Sequence, residues 1–114
     1  MVRIAAALAS VTLLFLAPSA NAEFYTGSKL FSMLEKDVRG GVDYESGLAS
    51  GYVVGVIDTA LGTYICFPAG DNNITIRQVK QIVYNYMQKH PELWSSSADV
   101  SIVAAMREIF PCKK

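Results

Sequence analysis

Residues 47–62 read GLASGYVVGVIDTALG, and the period assigned to them decides the fold. Gly47, Gly51 and Gly55 recur every four residues, with Asp58 and Gly62 close to the same stripe. Tyr52, Val53, Val54, Val56 and Ile57 each favour β structure, so a strand over GYVVGVI is the competing reading. The four-residue recurrence predicts a helix from about Glu45 to Thr63. Glycine inside a helix costs roughly 1 kcal/mol relative to alanine, so the stripe predicts close approach of another backbone. G-x-x-x-G is best known from membrane helices, but here Asp58 interrupts it and the stretch is rich in glycine. It reads as the central helix of a soluble bundle.

Toward the C-terminus, Cys66-Phe67-Pro68 bars helix, and AGDNN (Ala69 to Asn73) is a turn. Thr75 and Gln78 then form a T-x-x-Q capping box that opens a helix from Ile76 to about Lys89. Ile76, Val79, Ile82, Val83, Tyr86 and Met87 make its apolar face. Asn73-Ile74-Thr75 is also a glycosylation pattern, but helix capping is the better reading. His90-Pro91 ends this helix, with His90 read as a surface terminator. WSSSAD (Trp94 to Asp99) starts another, capped by Ser96 or Ser97, with Asp99 favourable near the dipole's positive end. Val100, Val103, Ala104, Met106 and Ile109 are its expected core residues, and Pro111 closes it. On the other side, a helix runs from about Ser28 to Val38, capped by Thr26 or Ser28 and stopped by Gly40-Gly41. Leu30, Phe31, Leu34 and Val38 fall on one face of it. The expected fold is all-α: a small single-domain bundle of about four helices.

The first residues carry a different signal. Met1-Val2-Arg3 is weakly basic, Ile4 to Ala17 is apolar apart from Ser10 and Thr12, and Ala20-Asn21-Ala22 is a cleavage pattern. This is expected to be a secretory signal peptide over residues 1–22, leaving a domain over 23–114. The apolar run has about 14 residues, short of the roughly 20 that span a bilayer, and no second long run follows. The A-x-A site suits bacterial export, which makes the periplasm the expected compartment. Removing Arg3 leaves nine Lys and Arg against ten Asp and Glu, a net charge of −1. That balance argues against nucleic acid as a partner.

Cys66 and Cys112 are the two cysteines of the chain. In an oxidising compartment they are expected to pair. In the chain-entropy model, closing a loop of about 47 residues contributes about 4 kcal/mol, less any strain. A redox motif C-x-x-C is absent, a metal site needs more ligands than the single His90 supplies, and a catalytic thiol wants a neighbouring base. No G-x-S-x-G, phosphate loop or metal cluster is visible, and no cofactor is implied. Asp58, set in an apolar helix, reads as a buried acid bonded to a helix terminus or hydroxyl; a base with a perturbed pKa is the alternative. By elimination the protein works by binding and not by catalysis.

Three stretches carry a resemblance: GYVVGVID (Gly51 to Asp58), CFPAGDNNITIRQVKQIVYNYMQKHPEL (Cys66 to Leu93) and AAMREIFPC (Ala104 to Cys112). With TGSKLFSML (Thr26 to Leu34), they resemble the type VI secretion amidase-immunity family, the Tai/Rap-type immunity proteins. Gly51, Tyr52, Gly55, Asp58, Pro68, Thr75, Gln78 and Pro111 are the matching positions. The resemblance implies an exported helical protein, often a homodimer, whose partner is a peptidoglycan-cleaving amidase effector blocked by occlusion of its catalytic groove. Many members carry a second cysteine pair; here Leu34 and Ala49 occupy those positions, consistent with a bridge replaced by packing. Asp71, Asn72 and Asn73 in the AGDNN turn are the candidate partner contacts, with plain helix capping as their bland alternative. A small periplasmic chaperone or stress protein is the competing function.

Overall fold

The glycine-striped stretch is helical. In the computed structural model, which describes residues 24–70 and 73–113, it forms α2, Tyr44–Ala60. The chain before it forms α1, Gly27–Val38. After it come α3, Ile76–Lys89, a single 3₁₀ turn at Pro91–Leu93, and α4, Ala98–Ile109. The described residues form an all-α fold of four α-helices with one disulfide and no strand. The expected signal peptide lies outside them.

Local chemistry starts and stops each helix. Thr26 Oγ1 accepts from Lys29 N at 3.2 Å, and Asp43 Oδ1 accepts from Ser46 N at 2.9 Å. At α3 the capping box forms in full: Gln78 N donates to Thr75 Oγ1 (3.2 Å) and Thr75 N donates to Gln78 Oε1 (2.7 Å). Each such cap contributes about 1 kcal/mol. Ser97 caps α4 by backbone position, without a side-chain hydrogen bond. Gly40 at φ +88° turns the chain out of α1. α2 ends at Ala60, three residues before the expected Thr63, because Ile65 N folds back onto Ala60 O at 3.1 Å and Gly62 takes φ +82°.

The core is a single cluster. Leu30, Met33 and Leu34 of α1 meet Val53 and Ile57 of α2, Val83 and Met87 of α3, and Ile102 and Met106 of α4. Each large side chain taken fully out of water contributes about 1.5–3 kcal/mol. Leu34 and Ala49, where the resemblance implied a second bridge replaced by packing, are both fully buried in this cluster.

Two expectations about faces are corrected. The inward stripe of α2 is Ser46, Ala49, Val53, Ile57 and Ala60. Gly47 and Asp58 follow a core position by one residue and Gly51 and Gly55 by two, turns of about 100° and about 200° around the helix axis, and all four face solvent. A methyl group on any of the three glycines would meet nothing within 4 Å, so no backbone approaches them. In α4, Val100 and Ile109 are 45% and 51% exposed, while the small residues Ala98, Ser101 and Ala105 point inward with Ile102 and Met106. Met106 and, in part, Val103 lie inward as expected, so apolarity misplaced Val100 and Ile109 and missed the small residues.

Close backbone approach occurs at Gly27. A Cβ there would stand 2.7 Å from Leu93 O and 2.9 Å from Trp94 Cα. Gly27 N donates to Ser96 O (2.8 Å), Ser28 N to Trp94 O (2.8 Å) and Ala98 N to Tyr25 O (2.9 Å).

Candidate binding surface

Cys66 and Cys112 are bonded, with Cα atoms 4.8 Å apart. Neighbouring contacts reinforce the bond. Cys66 N donates to Phe110 O at 3.0 Å, Ile65 pairs with Pro111 in an isolated antiparallel bridge, and Phe67 meets Phe110 edge to face at 5.1 Å. The segments that follow α2 and α4 are therefore fixed side by side. From this base the α2–α3 loop carries exposed Pro68, Ala69 and Gly70, the last at φ +81°. Exposed Asn73 then leads to the Thr75 cap. Asp71 and Asn72 lie outside the described residues.

Three depressions adjoin this base and share walls. A small one of about 130 Å³ between α2 and α3 is lined by Val54, Ile57, Asp58, Phe67 and Ile74 among others. A second, about 420 Å³, follows α3 past Ile74, Gln81, Ile82 and Asn85 to Phe110. The third, also about 420 Å³, opens between Pro68 and Ile109 beside the disulfide. Beside them, Tyr64 is 54% exposed and lies under the Arg107 guanidinium, 5.8 Å from the ring centre. Aromatic, arginine and aliphatic groups on a braced base suit contact with a protein surface.

A polar cluster locks the opposite turn. Lys80 of α3 pairs with Asp37 of α1 at 2.8 Å and donates to Ser50 of α2 at 2.9 Å. Ser46 donates to the other oxygen of Asp37. Burial resists ionisation of Asp37, but the hydrogen bonds from Lys80 and Ser46 outweigh it and hold the carboxyl below the ordinary aspartate range. Glu45 bridges Lys36 (2.7 Å) and Lys29 (3.4 Å). The hydrogen bond from Lys36 lowers the Glu45 carboxyl and raises the Lys36 ammonium. Beyond the lock lies a cleft of about 410 Å³, bounded by Val38, Gly40, Gly41 and Val42 on one side and Arg77 and Gln81 on the other.

The sequence-derived positions separate into two groups. Cys66, Cys112, Pro68, Pro111, Thr75 and Gln78 all gather around the α2–α3 loop, and Asn73 is exposed within it. Gly51, Gly55 and Asp58 lie on the solvent face of α2. Asp58 is exposed, which corrects the reading of it as a buried acid, because the core stripe passes through Ile57. Tyr52 is half-buried against Tyr25, ring centres 5.2 Å apart. His90 ends α3 as expected, stacks on Tyr86 and lies 2.8 Å from Glu92. Asp37, Ser46 and Lys80 escaped the sequence reading, since their partners are on three different helices and no short-range spacing marks them. Among the described residues no group of three His, Cys, Asp or Glu is placed to hold a metal, and no helix is long and apolar enough to cross a membrane.

The family profile described as Rap1a immunity proteins matches residues 26–112. No curated protein matches the chain.

Proposed function

The chain belongs to the Rap1a immunity protein family, whose members act against a toxin, and on that premise we propose that it binds and inhibits a peptidoglycan amidase in the periplasm. The family match over residues 26–112 is the observation that carries this reading. Inhibition is by occlusion, with no chemistry performed by the chain. The α2–α3 loop enters the toxin's catalytic groove, and Asp71, Asn72 and Asn73 make the contact. The disulfide and the Phe67–Phe110 contact support this role, because a loop braced before binding loses less conformational freedom when it docks. Residues 1–22 direct export and are removed. A homodimer is the proposed functional form.

A tagged, exported full chain, expressed with the neighbouring genes of its own genome, tests the reading. Mass spectrometry of the captured material is expected to show a stoichiometric cysteine-histidine amidase, and cells making the chain are expected to survive that amidase. Capture of a broad set of periplasmic proteins, enriched at low pH, would instead mark a chaperone. Absence of both capture and protection would overturn the proposal.

A further inference from the structure

We propose that the cleft between the α1–α2 turn and the start of α3 is a second part of the toxin-binding surface, where Arg77 receives an acidic side chain of the toxin. This rests on the toxin-binding reading and adds the charge that the partner must present.

The cleft is lined by one carboxylate, Asp37, and two cations, Lys80 and Arg77. Two positive charges less one negative leave a net of +1. The carboxylate is already committed: Lys80 holds it at 2.8 Å and Ser46 holds its second oxygen. Lys80 is satisfied in turn by Ser50. Arg77 is exposed and makes no close ion pair among the described residues; its charge acts on the Asp37 carboxylate only from a distance, behind Lys80 and Ser46. It also stands in the first turn of α3, which carries no acidic residue, where the helix dipole opposes a cation. An incoming carboxylate would relieve both conditions. Arginine suits this role because its planar guanidinium can grip a carboxylate through two parallel hydrogen bonds.

The rim has the character of a contact surface. Val42 is 97% exposed and Val38 is 37% exposed. The turn that presents Val42 is fixed in shape: Gly40 takes φ +88°, and a Cβ on Gly41 would stand 2.9 Å from Lys36 O. Exposed aliphatic groups beside an arginine, itself a residue enriched in interface hot spots, suit contact with a protein surface. Gln81 lines both this cleft and the depression that follows α3 to Phe110, so the cleft adjoins the loop-side surface along α3. The favoured partner surface is therefore a loop with an Asp or Glu set among apolar residues.

The test is a titration of the captured amidase against the full-length mature wild type and its Arg77→Glu, Arg77→Lys and Val42→Asp variants. Arg77→Glu is expected to weaken binding by about 100-fold and Arg77→Lys by about tenfold. The wild-type affinity is expected to fall with added salt, and the Arg77→Glu affinity to fall less steeply. Arg77→Glu gains from the dipole at the first turn of α3 but loses the attraction between Arg77 and the Asp37 carboxylate, so thermal melts accompany every titration and a loss of binding counts only for a variant that is folded at the assay temperature. Replacing one toxin Asp or Glu with Arg should restore binding to Arg77→Glu. If Arg77→Glu and Val42→Asp bind within twofold of a wild type that does bind, this inference fails and the inhibitory reading stands. If inorganic phosphate alone competes the amidase off wild type while Val42→Asp has no effect, the cleft is an anion site and the proposal is overturned. A wild type that binds no amidase overturns both.

Discussion

The two ends of α4 are joined to the rest of the bundle by different means. Its C-terminal end is tied to the segment after α2 by the Cys66–Cys112 disulfide. Its N-terminal end is tied to the start of α1 by backbone hydrogen bonds around Gly27, where Ser96 O and Trp94 O accept at 2.8 Å and no side chain fits between. Trp94 secures that junction by stacking on Phe31, ring centres 4.5 Å apart, and donating Nε1 to Met87 O at 2.8 Å. The covalent clasp acts chiefly on the unfolded chain, by restricting it. The packed clasp acts only in the native state, through contacts that vanish on unfolding. Two equal-looking joints therefore respond to different perturbations.

The largest expected effect is at the disulfide. Replacing Cys66 and Cys112 together with serine should cost about 4 kcal/mol and, by expanding the unfolded chain, raise the denaturant slope. Urea titration of the variant and the parent reads both quantities. An unchanged slope would break the assignment of this clasp to the unfolded state. Next, Gly27→Ala should cost about 3 kcal/mol with the slope unchanged, because the new methyl meets backbone atoms that cannot rotate aside. A cost below about 1 kcal/mol would show that α1 shifts without penalty and that the junction is loose.

The polar lock between α1, α2 and α3 sharpens the contrast by adding a pH-dependent joint. Asp37→Asn should cost about 2 kcal/mol at neutral pH, less than a fully dry pair, since the two side chains keep 14% and 15% exposure. The Asp37 carboxyl titrates lower in the folded protein than in the unfolded chain, where its ordinary value is 3.8. Its contribution is therefore complete above that ordinary value and is lost as pH falls toward and through the lowered folded one. Thermal melts across the acid range should show the wild type converging on Asp37→Asn as pH drops. Parallel curves would remove Asp37 from the acid response. The smallest effect has the opposite sign. Gly51→Ala and Gly55→Ala should each stabilise by about 0.5–1 kcal/mol, because both sites are helical, exposed and open. Destabilisation at either would show that the free face of α2 is covered in solution.

Sequence alone determined the helical frame, the caps at Thr26 and Thr75 and the covalent clasp. Thr75 and Gln78 act within one turn, Gly40 sets one backbone angle, and two cysteines allow one intramolecular pairing. The determinants of such features lie in a few residues, so a linear reading reaches them. Tertiary structure decided which face of α2 and α4 points inward, that Asp58 meets water, that Gly27 and not Gly51 lies against another backbone, and that Asp37 pairs with Lys80. Those outcomes depend on how four helices share one interior. A helix rich in apolar and small residues all round, as α2 is, carries no internal instruction about which side the others will cover.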